Sequence, residues 1–278
     1  MTLAANTGVV SYNGKSKAMF TTHPIEKPYF IYQIGSADPA LAVQAAKTVM
    51  HDVSGVDLNC GCPKPFSTHA GMGVALLTNP DLLCSILTAL REAMPPEITV
   101  SAKIRLLPTQ EDTLRLVERI VNTGVSALTV HCRTRNMRPN ERAVIERLKE
   151  IVDFVEGMGK GVAVIANGDC LSAEDAVRVK EITGECGVFD MLDNDLNTVL
   201  IGAHSCMIAT AAESNPTIFS PTPLLDLERT LMPPYIRLVS IHTRIPFIHF
   251  VLTLFTVQIP RQPLLKHQIL RHAVQRLT

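Results

Sequence analysis

The chain has no tryptophan, few aromatic residues (5%) and no net charge, yet 46% of its 278 residues are apolar. Its core must therefore be largely aliphatic, and the length suffices for one large core or for one domain with a small appendage. Seven cysteines, scattered and odd in number, argue against a disulfide framework and for a reducing compartment. The first two dozen residues have neither an apolar signal core nor an arginine-rich amphipathic pattern. Nothing there marks export or organelle import, so the expected location is the cytoplasm, with the nucleus as the alternative. Residues 245–259, an apolar run broken by His249, fall short of the ~20 residues of a membrane span. The absence of net charge speaks against a strong nucleic-acid footprint, but it hides an asymmetry. No acidic residue follows Glu228, whereas Arg229, Arg237, Arg244, Arg261, Lys266, Arg271 and Arg276 do. Such a tail can hold phosphates or be an incidental basic terminus.

Hydrophobic periodicity becomes regular from residue 29. Strands are predicted at 29–34, 55–59, 98–104, 125–131, 162–166 and 204–209, with helices at 38–50, 79–91, 110–122, 140–155 and 172–182. Asp38-Pro39 and Asn79-Pro80 read as helix starts, and Ser172 as a cap with Asp175 three residues on. Strand and helix alternate, which is the mark of parallel βαβ units, and the strands read as apolar on both faces, as a helix-covered sheet requires. The expected fold is α/β, of the (β/α)8 TIM-barrel type, and incomplete, since six strands are visible where such a barrel has eight. Residues 1–28 read as an irregular start, 29–215 as the partial barrel with an insertion at 185–201, and 216–278 as a basic C-terminal segment.

The chemistry concentrates in Asp57-Leu58-Asn59-Cys60-Gly61-Cys62-Pro63, a strand running into a turn. Gly61 lets the backbone approach a flat ligand, and Pro63 fixes the chain just beyond Cys62. A free cysteine is often a small buried hydrophobe, and Cys60 with Cys62, His69, His131 and Cys132 also suggests zinc. Alternating side chains on a strand diverge, however, and no second Cys-x-x-Cys pair exists, so no metal is expected. Other strand ends are equally polar: Gln33-Ile34-Gly35, Ser101-Ala102-Lys103-Ile104-Arg105, His131-Cys132-Arg133-Thr134-Arg135 and Asn167-Gly168-Asp169. A lone Lys103 on an apolar strand needs a partner. All of these ends would point into one mouth, where parallel barrels place their active sites.

Taken together, these motifs resemble the tRNA-dihydrouridine synthases, and more closely the eukaryotic branch that reduces uridine 20 of the D-loop. The resemblance runs from about residue 27 to 184 and again from about 203 to 238. It implies a flavin barrel in which Gln33, Lys103 and His131 contact FMN. Asn167, Gly168 and Asp169, with backbone near Ala209 and Thr210, would hold its phosphate. It also implies NADPH as reductant, tRNA as substrate, Cys62 as the acid that protonates C5 of uracil, and Asn59, Arg105, Arg133 and Arg135 as substrate contacts. No stable protein partner and no membrane are implied.

Three departures accompany the resemblance. The family's first two β/α units have no counterpart here, 185–201 interrupts the approach to the last strand, and after Leu238 the family's helical tRNA-gripping domain is not matched. The alternatives are an inactive fragment that binds tRNA through its basic tail, and another FMN barrel that acts on a free pyrimidine.

Overall fold

The structure, a computed structural model, describes residues 11–12, 15–16, 22, 24–138, 140–184, 205–219 and 226–230. A short antiparallel hairpin, β1 (Ser11–Tyr12) and β2 (Lys15–Ser16), and a 3-10 helix, Pro24–Tyr29, occupy the start that was expected to be irregular. Six parallel strands follow: β3 (Ile31–Ile34), β4 (Gly55–Asn59), β5 (Thr99–Arg105), β6 (Ala127–His131), β7 (Ala163–Asn167) and β8 (Ser205–Met207). Each strand pairs with its predecessor in sequence, the order of a barrel wall rather than of a sheet wound from its middle.

Helices α1 (Pro39–Val49), α3 (Pro80–Ala93), α4 (Gln110–Val121), α5 (Glu146–Gly157) and α6 (Ala173–Thr183) alternate with the strands. Their starts have local causes. Asp38 accepts from the Leu41 N–H, Asn79 from Leu82, Thr109 from Asp112 and Ser172 from Asp175, each satisfying a donor that the first helical turn leaves open. Helix α5 differs from expectation, starting at Glu146 rather than near residue 140. Residues 140–145 cannot coil because their backbone bonds elsewhere. The Glu141 carbonyl accepts from Arg133, the Ala143 N–H donates to Asp169, and the Val144 N–H donates to the Cys132 carbonyl.

The sheet register corrects the expectation that the strands are apolar on both faces. Side chains alternate along a strand, and the pairings Gln33↔Asp57↔Ser101, Asn59↔Lys103↔Thr129 and Arg105↔His131↔Asn167 put these polar residues on one face. Their neighbours Ile34, Val56, Leu58, Val100, Ile104, Leu128, Val130 and Val164 are fully buried on the other face, in one cluster with Leu83, Leu87, Leu90, Ile120, Leu148 and Ile151 of the helices. At about 1.5–3 kcal/mol per buried large aliphatic side chain, this layer supplies most of the driving force for folding.

Beyond β8, the short helix α7 (Thr210–Ser214) and a 3-10 turn, Pro216–Phe219, close the first unit at Phe219. Residues 220–278 form a second unit, described at α8 (Leu227–Thr230), whose Arg229 N–H bonds the Asp226 carboxylate. The predicted insertion at 185–201 and the basic positions after Arg229 lie outside the described residues.

Candidate active site

The C-terminal ends of β4 to β8 carry the candidate chemistry. At the end of β4, the Asn59 carboxamide oxygen accepts the N–H groups of Gly61 (3.2 Å) and Cys62 (3.0 Å), bending the chain so that Cys62 follows in a fixed turn. Arg105, from β5, clamps the same turn by donating from Nε to the Gly61 carbonyl (2.7 Å) and from a terminal nitrogen to the Thr134 carbonyl (3.2 Å). A third support comes from a segment to which sequence reasoning gave no role. The short helix α2 (Pro65–Thr68) and a 3-10 helix, Gly73–Thr78, fold back under the turn, where the Val74 N–H donates to the Cys62 carbonyl (3.1 Å). Gly73 sits there at φ 62°, and a β-carbon on it would lie 2.4 Å from the Cys62 carbonyl oxygen. The only sequence signal for this support is the Gly71-Met72-Gly73 run.

Behind the turn, Asp57 is buried, accepting from Gln33 Nε2 (2.7 Å) and Ser101 Oγ (2.7 Å), and the Gln33 oxygen in turn accepts from Asn59 (2.8 Å). Burial pushes the Asp57 carboxyl up, while its two hydrogen bonds and the Lys103 charge pull it back. Lys103 donates to the Asn167 oxygen (2.7 Å), and the Asn167 amide nitrogen to the Met207 carbonyl (3.2 Å), tying β5, β7 and β8 together. Burial lowers the Lys103 ammonium to about 8, with Asp57 opposing that shift.

His131 is pulled down to about 3, by burial first and then by the charges of Arg105, Lys103 and Arg133. It is thus neutral at pH 7. Arg133, which can only donate, lies 3.3 Å from its Nε2. Nε2 therefore accepts, leaving Nδ1–H as a donor. Arg133 is buried and already engaged, with Asp169 (2.5 Å) and with the Glu141 carbonyl (2.7 Å). Although burial works against it, the Ala143 N–H and Arg133 hold the Asp169 carboxyl below its usual range. Asp169 adopts φ 53° after Gly168, and the N–H groups of Gly168, Asp169 and Cys170 meet no acceptor among the described residues.

A pocket of about 280 Å³ opens at these strand ends, bordered by Pro63, Arg105, His131, Asn167, Gly168, Asp169, Ala209 and Thr210. Of the residues singled out from sequence, the pocket gathers Arg105, His131, Arg133, Asn167, Gly168, Asp169, Ala209 and Thr210, whereas Gln33, Asn59 and Lys103 share the polar face of the sheet without lining it. Cys62, buried at 8% exposure, adjoins the pocket through Pro63 rather than lining it, and Arg135 is exposed and not part of the lining. A hollow of about 350 Å³ near Lys27, His51, Ser54 and Glu97 lies at the opposite ends of the strands, away from this chemistry. Cys60 and Cys132 are fully buried on the helix side, where burial raises both thiols, Cys132 to about 12. Among the described residues, no cluster of three or more His, Cys, Asp or Glu could hold a metal.

Comparison with known proteins follows the same residues. The chain is 50% identical over 206 residues to the tRNA-dihydrouridine(20) synthase [NAD(P)+] of Schizosaccharomyces pombe, which covers 73% of this chain and 39% of that protein. It is 44% identical to the tRNA-dihydrouridine(20) synthase [NAD(P)+] of Saccharomyces cerevisiae, covering 73% of this chain and 50% of that protein. The chain thus spans half or less of the length of these relatives. Among solved structures, a dihydroorotate dehydrogenase (DHODH) from Eimeria tenella in complex with ferulenol aligns with a TM-score of 0.46 and 16% identity, over 65% of this chain and 52% of that one. The Dihydrouridine synthase (Dus) family model matches residues 6–190, which include the hairpin, the Cys62 turn and every strand end from Gln33 to Asp169. On that match and those identities, the chain belongs to the dihydrouridine synthase family.

Proposed function

We propose that this chain carries the catalytic part of a tRNA-dihydrouridine synthase, reducing the C5=C6 bond of a uridine in the tRNA D-loop at the expense of NADPH. The observation that carries this reading is the pairing of a fixed thiol turn with a mouth lined by cations, amides and backbone N–H groups. That donor set fits FMN. Lys103, the remaining N–H of Gln33 and the Nδ1–H of His131 suit the electron-rich carbonyls of a flavin ring. The N–H groups of residues 168–170, which meet no acceptor among the described residues and stand beside Ala209 and Thr210, suit its phosphate. The Asp169 carboxylate itself is committed to Arg133, so only its backbone is available to an anion. When bound, FMN supplies the hydride for C6 of the uracil ring.

The chain's own residues would supply position and the proton. Cys62 Sγ gives its proton to C5, and Asn59, Arg105 and Gly73 hold it where a ring entering the mouth can meet it. Only a base flipped out of its stack can reach such a site. Arg105 lines the pocket, near enough to hold the substrate, whereas Arg135, exposed outside the lining, can meet RNA phosphates. Arg133, buried and paired, serves better as an internal strut for Asp169 and His131 than as a substrate contact.

The test is direct. The purified chain, given FMN and freed of excess, should keep a visible flavin band. Cys62→Ala should keep that band while dihydrouridine formation on tRNA drops roughly 10²–10⁴-fold, the usual worth of a positioned acid. Loss of colour in the parent chain, or turnover of free dihydropyrimidines in place of tRNA, would contradict the reading.

A further inference from the structure

The buried carboxylate of Asp57 touches neither the pocket nor Cys62, yet it ends a one-way chain of hydrogen bonds that leads to Cys62. Two N–H groups, of Gly61 and Cys62, can only donate, so the Asn59 group facing them must be its oxygen. Its nitrogen is then turned towards Gln33 and must find an acceptor there, which is Gln33 Oε1 at 2.8 Å. The Gln33 nitrogen is forced in turn towards Asp57, where it meets Oδ2 at 2.7 Å, while the Ser101 hydroxyl holds Oδ1. Each amide along this path could rotate by half a turn at almost no steric cost. The direction follows from the backbone donating at one end and an acceptor standing at the other.

We propose that Asp57 is a positioning residue for the Cys62 turn: its carboxylate sets the orientation of Gln33 and Asn59, and through them holds the two backbone N–H groups that shape the turn. The proposal deepens the reading of Cys62 as the proton donor. Its test needs neither flavin nor turnover, so the two can fail separately.

The measurement is the rate at which iodoacetamide alkylates Cys62 in the full flavin-free chain, followed by peptide mass spectrometry, with the half-buried Cys84 on α3 as internal control. Asp57→Leu removes the acceptor, and Cys62 should label roughly tenfold faster while Cys84 keeps its rate; a merely destabilised chain would speed both. Asp57→Asn should return Cys62 to within about twofold of the parent, because its oxygen can still face Gln33 once the Ser101 hydroxyl turns to accept. Should Asp57→Leu not fold, Gln33→Glu breaks the same link from the other side by setting two acceptors face to face. Adding Asp57→Asn to it restores a donor–acceptor pair, so the double variant should label slowly again. Unchanged Cys62 labelling in a folded Asp57→Leu chain would overturn the proposal. So would a double variant that labels as fast as Gln33→Glu alone, or that fails to fold as the single variant does.

Discussion

The two faces of the same five or six strands obey opposite rules. On the helix side, Ile34, Leu58, Ile104, Leu128 and Val164 are interchangeable in kind, each buried among aliphatic neighbours with no direction to its contacts. On the mouth side, Gln33, Asp57, Asn59, Lys103, His131 and Asn167 each have a specific partner at hydrogen-bond distance. Stability comes from the first face and position from the second, and the two are separated by one residue along the chain. Substitutions should therefore fall into two classes: those that lower the folded fraction, and those that leave a folded protein with a displaced site.

The largest effect on stability is expected on the helix side. Leu128→Ala, at a fully buried position, should cost about 2–5 kcal/mol, read as a lower denaturant midpoint, while the flavin band of whatever remains folded is unaltered. Gly73→Ala sharpens the contrast, because it strikes the support of the Cys62 turn. A left-handed backbone and a β-carbon pressed on a carbonyl should cost about 1–3 kcal/mol and also lower product formation in the folded fraction. Asp169→Ala leaves the buried Arg133 without its carboxylate and residues 140–145 without an anchor; a loss of about 1.5–3 kcal/mol is expected by chemical denaturation.

Two further effects are read through pH. His131 titrates near 3 when folded but near 6.5 when unfolded, so as the pH falls from 6.5 towards 3 the unfolded chain takes a proton that the folded one refuses, and stability drops. His131→Gln should flatten that part of a melting-temperature profile. Lys103, about 8 folded against 10.5 unfolded, makes stability rise with pH across that interval, and Lys103→Met should remove the slope.

Much of this was legible from the residues. Helix caps at Asp38, Asn79 and Ser172 stand where local chemistry predicted them, and the ends of β5, β6 and β7 meet at one pocket through Arg105, His131 and Asn167. The start of α5 was not legible, because Ala143, Val144 and Ile145 carry a helix-like apolar pattern. What stops the helix is Arg133 and Asp169 claiming that backbone, through contacts across 8 and 26 residues of sequence. The polar inner face was misread for a different reason. Asp57, Asn59, Ser101, Lys103 and Arg105 already recur every second residue, but a dominant aliphatic background masks a period of two. Gly73 left no trace beyond the Gly71-Met72-Gly73 run, since its need for space is set by Cys62, brought over it by the fold.

The strict alternation of the two faces also limits how such a chain can change length. Removing one residue within β4 or β5 would turn Leu58 or Ile104 into the mouth and Asn59 or Lys103 among the helices, an inversion that no local adjustment repairs. The loop at 158–161 faces no such accounting, since the space beside Gly159 and Gly161 is open. Variation by insertion and deletion is therefore confined to the connections, while the strands can drift only by replacement, each position keeping its allegiance to one side of the wall.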